Sequence, residues 1–305
     1  MSKASMAGKV AGASAPAPGL AAPRQRAAAW SPAKGGLLLL ALPLAMLALF
    51  FLLPLLVVLG QSFTAPAGPF DSYVRLAGDS ALRNALTYTF QTAAIVTLAA
   101  LVLSYPVAFL ISRAQGRWLV IGMVFVLVPF WTSAVIRSYA WLVLLQRRGV
   151  LNEMMLALGL IDRPLRLTNT DIGTHVAMVQ IMLPFMILPL LSAMRGIDAS
   201  VLRAAAILGA NPWRQFLHVY LPLSMPGVGA GCVLVFISTL GFYITPALLG
   251  GSSQMIAVAI EQQVSRLLDW PLASALATLL LVLTCLLFML YERLNRRLAG
   301  AGEAR

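Results

Sequence analysis

The chain has 305 residues, of which 60% are hydrophobic and only 10% are charged, and its mean hydropathy is +0.87. This composition excludes a soluble globular domain and predicts an all-α protein that crosses a membrane several times. The formal net charge is +12. The Lys and Arg residues lie at the ends of apolar segments, which argues against nucleic-acid binding and favours contact with anionic membrane lipid.

The amino-terminal residues 1–35 are rich in Ala and Pro and contain no acidic residue, so they predict a disordered basic tail. The alternative is the leading part of a signal peptide. It is disfavoured because the apolar run from Gly36 has about 24 residues, more than the 7 to 15 of a signal-peptide core. Residues 298–305 are predicted to form a carboxy-terminal tail.

Between the tails, residues 36–297 contain five or six apolar segments that reach the roughly 20 residues needed to cross a bilayer. Most of the 22 Lys and Arg residues lie inside if both termini are cytoplasmic, and the positive-inside rule therefore predicts that orientation. The segments lie near Gly36–Gly60, Ala85–Ser112, Trp118–Ile136, Thr174–Met194, Gly227–Leu249 and Trp270–Tyr291.

The break between the fourth and fifth segments, residues 198–226, predicts two short helices. Asp198 can cap the first helix, and Gly209 can end it in the left-handed conformation. Asn211 and Pro212 give a second start signal, and Pro222 is expected to end the second helix. Apolar side chains share one face of each helix: Val201, Leu202, Ala205 and Leu208 on the first, and Trp213, Phe216, Leu217 and Tyr220 on the second.

Two short helices with apolar faces outside the bilayer must bury those faces, either on the protein's own bundle or on a partner. The segment resembles the loop by which permeases of ABC transporters contact their ATPases. That family pattern is Glu-Ala-Ala, three residues, Gly, nine residues, Ile, one residue and Leu-Pro. The matching residues are Ala204, Ala205, Gly209, Leu221 and Pro222, with Val219 in place of Ile, and Arg203 stands where the family has Glu.

The resemblance implies that this loop couples the chain to an ATPase. It names eight candidate coupling residues: Arg203, Ala204, Ala205, Gly209, Trp213, Phe216, Leu221 and Pro222. No Gly-x-x-x-x-Gly-Lys-Ser/Thr loop is present in the sequence, so hydrolysis is expected on another chain.

Three further stretches, 129–153, 241–251 and 269–271, are similar to permeases of the spermidine/putrescine branch. The resemblance implies a type I ABC importer permease with six helices in a bacterial inner membrane. Its implied partners are two ATPase subunits, a second and different permease chain and an extracytoplasmic solute-binding protein. A polyamine is the favoured solute, and another small solute is the alternative.

Polyamines are cations, so their path is expected to offer aromatic faces or acids. The candidates are Trp131, Thr132, Tyr139, Tyr243 and Glu261. Aromatic residues also anchor membrane interfaces, and single polar residues such as Gln91 and Gln180 more often bond between helices. Four glycines, at 227, 229, 231 and 241, predict close helix contacts. Arg137 argues against a cation path near it.

The sequence contains no convincing catalytic or metal-binding constellation. His175 and His218 do not form an i, i+4 pair, and Cys232 and Cys285 have no partner at a metal-binding or redox spacing. We therefore expect no enzyme activity, cofactor or metal in this chain. A channel or secondary transporter that works without ATP is the alternative class. It would need membrane-depth acids or an inverted repeat with broken helices, neither of which is evident.

Overall fold

The computed structural model describes the backbone of residues 34–251 and 253–303 and the side chains of 40–251 and 253–293. These residues are mostly helical, and they divide into two units, one ending at Pro54 and one formed by Leu55–Arg305. The predicted tail over 1–35 lies almost wholly outside the described residues. The helices are α1 Lys34–Leu47, α2 Leu53–Gln61, α3 Asp71–Gly78, α4 Ser80–Arg113, α5 Gly116–Trp131, α6 Ala134–Leu144, α7 Val150–Ala157, α8 Asp171–Arg195, α9 Ala199–Ile207, α10 Pro212–Gln215, α11 Leu221–Leu240, α12 Ile244–Leu249, α13 Ile256–Ser265 and α14 Trp270–Glu303.

Five helical runs in the described chain are long and apolar enough to cross a membrane. Helices α5 and α6 meet the same criterion only as a pair, bent by 96°, and as one broken span they would give a sixth. The prediction of an all-α multi-pass protein is therefore confirmed. The five runs are Leu40–Gln61, Ser80–Arg113, Asp171–Arg195, Pro212–Leu240 and Trp270–Arg293.

The predicted third span, 118–136, was wrong as one continuous helix, because the chain breaks at Thr132. This residue has extended backbone angles. Its hydroxyl donates to the carbonyl of Pro129 at 2.6 Å, so a side chain replaces a helical backbone donor there. The next helix starts only at Ala134 and runs in a new direction.

The fifth predicted span also needs correction at both ends. The chain is helical from Pro212 to Leu240 without interruption, so Pro222 does not end a helix. A single π turn over Phe216–Tyr220 precedes this proline. Pro222 has no backbone N–H and cannot make the usual i→i−4 hydrogen bond. The i→i−5 hydrogen bonds of the π turn let the helix continue past it. The span then ends at Leu240, and α12 is a separate short helix.

The core of the larger unit forms around α8, which packs against α4 and α11. The side chains of Met178, Met182, Met186 and Leu190 on α8 are fully buried in one apolar cluster. Methionine fills irregular gaps well, which suits a helix that must fit two neighbours.

Small residues on α11 permit its close approach to α8. An added Cβ at Gly227 would lie 2.5 Å from the Cβ of Ala193, and one at Gly231 would lie 2.6 Å from the sulfur of Met186. These two glycines confirm the predicted helix contacts. The prediction was wrong for Gly241, where nothing lies within 4 Å of an added Cβ.

Candidate functional site: the coupling loop and a polar groove

The loop between α8 and α11 has the two capped helices that its sequence predicts. The carboxylate of Asp198 accepts from the backbone N–H of Ser200 at 2.8 Å, and the side chain of Asn211 accepts from that of Arg214 at 2.8 Å. The hydrogen bonds from Ser200, and less strongly the charge of Arg203, lower the pKa of the Asp198 carboxyl. Gly209 has a φ of +82°, which confirms the left-handed turn expected there.

An aromatic cluster attaches the second short helix to the end of α4. The ring of Phe216 stacks with those of Trp213 and Tyr220, each at 6.1 Å, and meets Phe109 edge-on at 5.5 Å. Tyr220 is only 3% exposed, and its hydroxyl lies 3.0 Å from that of Ser112. Of the two alternatives for the apolar faces, packing on the protein's own bundle is therefore the one that Phe216 and Tyr220 follow.

The tip of the loop, in contrast, carries apolar side chains that are mostly exposed. Leu208 is 87% exposed, Ile207 is 85% exposed and Trp213 is 68% exposed. We call these three residues the apolar tip. The predicted face of the first helix is thus divided, because Leu202 turns to the core whereas Leu208 projects outward. Of these three residues only Trp213 was predicted as a coupling residue; Leu208 was placed on the apolar helix face, and Ile207 was not singled out.

The other predicted coupling residues lie on both sides of the apolar tip. Arg203 and Ala204 are exposed on α9, and Ala205 beside them is half-buried. Leu221 and Pro222 belong to the first turn of α11, which directly follows Tyr220 of the aromatic cluster. Among the described side chains, Arg203 makes no salt bridge.

A cavity of ≈ 740 Å³ lies between the loop and α4. Tyr105, Phe109 and Arg113 line it from α4, and Leu202 and Phe216 line it from the loop. The guanidinium of Arg113 lies 4.3 Å from the ring centroid of Phe109, within cation–π range. The loop therefore rests on α4 through aromatic edges rather than through a closely filled interface.

The five residues predicted for a solute path are dispersed over several elements. Trp131 ends α5 and is 84% exposed, Thr132 lies at the break, and Tyr139 is exposed on α6. Tyr243 precedes α12, and Glu261 is half-buried on α13. None of these five lines the groove described next.

A polar groove lies between α4 and α13, with a volume of ≈ 680 Å³. Of the polar membrane residues singled out from the sequence, Gln91 lines it. Gln180 instead accepts a hydrogen bond from the indole of Trp141 at 3.2 Å, which is the interhelical role expected as the alternative. The polar residues that line the groove are Asp79, Asn84, Thr87, Tyr88, Gln91, Ser253, Gln254, Gln262 and Gln263. Within the part of the chain that the structure describes, no group of three His, Cys, Asp or Glu side chains could hold a metal ion.

Comparison with known proteins identifies the architecture. A family model described as "Binding-protein-dependent transport system inner membrane component" matches residues 36–300. The chain belongs to this family. It is a multi-pass inner-membrane permease of the type I ABC importer class, and hence a transport component.

Among its relatives is the spermidine/putrescine transport system permease protein PotB of Haemophilus influenzae. The permease is 35% identical to it over 260 residues, which cover 82% of this chain and 90% of the relative. PotB of Escherichia coli is 36% identical over 261 residues, which cover 83% of this chain and 94% of that relative. The inner membrane ABC transporter permease protein YdcU of Escherichia coli is 31% identical over 291 residues, which cover 87% of this chain and 91% of that relative.

The fold is also that of a solved importer. A bacterial ABC transporter involved in the import of the acidic polysaccharide alginate matches with a TM-score of 0.71 at 20% identity, over 88% of this permease and 98% of that chain. A bacterial alginate ABC transporter in complex with alginate pentasaccharide-bound periplasmic protein gives a TM-score of 0.72. At this identity the likeness is one of fold.

Proposed function

We propose that this permease carries polyamines such as spermidine or putrescine into the cell and is driven by an ATPase that binds the apolar tip. The polyamine assignment is supported by the PotB relatives at 35–36% identity. The partners we propose are two ATPase subunits, a second and different permease chain and an extracytoplasmic binding protein. Both termini are proposed to be cytoplasmic, which places the coupling loop on the ATPase side of the membrane.

The observation that carries the docking proposal is the exposure of Ile207, Leu208 and Trp213 on a rigidly capped loop. Apolar side chains this exposed are the kind that a partner surface buries, and each large one contributes about 1.5–3 kcal/mol on burial. The aromatic cluster attaches the second short helix to α4, and that helix continues into α11, so movement of the tip would be passed to two membrane spans. ATP could bias the bundle only if the docked ATPase favours one of its shapes over the other.

Replacing Leu208 by Asp is expected to release the ATPase while leaving the permease intact. The change removes an apolar side chain that the docked ATPase would bury. It also introduces a charge that would have to be desolvated at that interface. Purification in mild detergent followed by mass spectrometry measures which ATPase remains bound. Leu160→Asp is the matched control, because Leu160 is also exposed, at 69%, but follows α7.

Equal ATPase recovery from the Leu208→Asp and Leu160→Asp proteins would contradict docking at the tip. A wild-type permease that moved spermidine in liposomes without any ATPase would contradict the importer mechanism and favour a channel or secondary transporter.

A second change tests the departure from the family pattern at Arg203. We expect Arg203→Glu to weaken ATPase binding several-fold, because an exposed Arg with no salt bridge among the described side chains suits an acidic or neutral partner surface. The effect should shrink as salt is raised, since exposed charges are screened. The measurement is ATPase binding in low and high salt, and identical binding by both proteins would show that this charge is irrelevant.

A further inference from the structure

We propose that the polar groove between α4 and α13 is a transit site for a di- or polycationic amine. The inference rests on the proposed function and states where in this subunit the solute passes. A volume of ≈ 680 Å³ is within the range of small-molecule sites. In the proposed orientation the groove lies at the extracytoplasmic end of α4, where a binding protein would release its solute.

Polar residues on α4 have a helical spacing along the groove. Asn84, Thr87, Tyr88 and Gln91 all line the groove and lie at i, i+3, i+4 and i+7, so they share one face of a membrane span. A polar stripe facing lipid would be unfavourable, whereas one facing a water-filled cavity is not. The stripe therefore marks a hydrated surface within the bundle.

The groove also contains side chains with unused hydrogen-bonding capacity. The side-chain amides of Gln91, Gln254, Gln262 and Gln263 make no hydrogen bond to other described residues. Each amide oxygen is free to accept from an ammonium or amine N–H. Four such acceptors along one groove fit a long, flexible donor with several amino groups. Because these acceptors are neutral, they would hold it weakly enough for release.

The charged side chain in the described lining of the groove is acidic. Asp79 is an acid in its lining, and no described lining residue is Lys or Arg. The hydroxyl of Tyr88, which also lines the groove, donates to Asp171 at 2.8 Å, so a second carboxylate lies directly behind the wall. The local field thus favours a cation and disfavours an anion.

The walls of the groove are also fixed relative to one another. The hydroxyl of Thr89 on α4 accepts from the backbone N–H of Ile256, the first residue of α13, at 2.8 Å. Leu82 of α4 and Ile256 are buried in one apolar cluster with Leu272 and Leu276 of α14. The groove is therefore formed before any solute arrives, which lowers the ordering cost of binding.

ATP-driven uptake of spermidine by the complete transporter in liposomes tests the site. Gln91→Lys and Gln262→Lys are each expected to lower uptake about tenfold or more, because a fixed ammonium repels a cationic solute at close range. Gln146→Lys is the matched control, since Gln146 is exposed at the carboxyl end of α6 and does not line the groove. Basal ATP hydrolysis should be the same in all four proteins.

Asp79→Asn separates charge from structure in the same assay. Asp79 caps α4 by accepting from the N–H of Ala81 at 2.8 Å, and Asn caps a helix about as well as Asp. A several-fold rise in the KM for spermidine with unchanged protein abundance is the expected result. Wild-type uptake by both Lys variants would overturn the groove inference alone. Failure of the unaltered transporter to take up spermidine with ATP would overturn the polyamine assignment and this inference together.

Thiol labelling distinguishes a solute path from a surface covered by the second permease chain. The sequence has only two cysteines, Cys232 and Cys285, so a cysteine-free background needs two changes. In that background Gln262→Cys should react with a small cationic thiol reagent in the assembled transporter, and spermidine should slow the reaction. If the cysteine reacts in the isolated chain but is fully blocked in the complex with or without spermidine, the groove is a subunit interface and the inference is wrong.

Discussion

A Gly209→Val permease is expected to insert into the membrane normally and to lose ATP-driven uptake. Gly209 has a φ of +82°, and nothing lies within 4 Å of an added Cβ. The obstacle is therefore backbone strain and not a clash, and a β-branched residue in this region costs on the order of 1–3 kcal/mol. The strain would be relieved by turning α9 relative to α10, which displaces Leu208 from the apolar tip. Uptake in liposomes and membrane abundance are the two measurements.

Two control variants make this result specific to the left-handed turn. Gly209→Asn should retain most uptake, because Asn tolerates positive φ better than other non-glycine residues. Gly78→Val should also be nearly neutral, since that glycine ends α3 with ordinary backbone angles and equally open space. Normal uptake by Gly209→Val at normal abundance would show that the turn geometry does not serve coupling.

Gly227→Leu is expected to have the largest effect on stability. An added Cβ at Gly227 would lie 2.5 Å from the Cβ of Ala193 and 2.9 Å from the backbone carbonyl of Pro189. Backbone atoms of α8 cannot move aside as a flexible side chain can, so α11 must shift away from the core helix. Overpacking of this kind costs about 1–3 kcal/mol or more. We expect lower abundance and a lower melting temperature of the purified permease in detergent.

The matched control is Gly241→Leu at the end of the same helix. Its added side chain meets open space, with nothing within 4 Å of the Cβ. This protein should melt within a few degrees of the wild type. If both leucine variants melted alike, close α8–α11 packing at Gly227 would not be what stabilises the bundle.

Local signals in the sequence predicted much of the coupling loop. The caps at Asp198 and Asn211 and the positive φ of Gly209 depend on neighbouring residues only, and all three are confirmed. Four of the five continuous spans were also predicted, because a helix must supply its own backbone hydrogen bonds in hydrocarbon and needs a long apolar run to cross it. The broken span at Thr132 and the continuous helix through Pro222 were not predicted. In both cases a single residue could either break or bend the helix, and the choice depends on the turn around it.

The polar groove was not predicted from the sequence, although part of its polar pattern could be read there. Asn84, Thr87, Tyr88 and Gln91 have a helical spacing, but the sequence does not show that Gln262 and Gln263 from a helix about 170 residues later form the opposite wall. Conversely, aromatic residues such as Trp131 were proposed for a solute path on chemical type alone. The structure leaves Trp131 exposed at a helix end, away from the groove.

The sequence by itself determined the membrane class, four of the helical spans, the capped loop and the resemblance to importer permeases, because each depends on composition or on residues close together in the chain. Only the tertiary structure decided which faces of those helices meet. It divided the apolar side chains of the loop into Phe216 and Tyr220, which are held on the bundle, and Ile207 and Leu208, which are left exposed. Helical spacing gives the angular position of a side chain around the axis of its helix. Its burial depends on where the other helices lie, which local sequence does not encode.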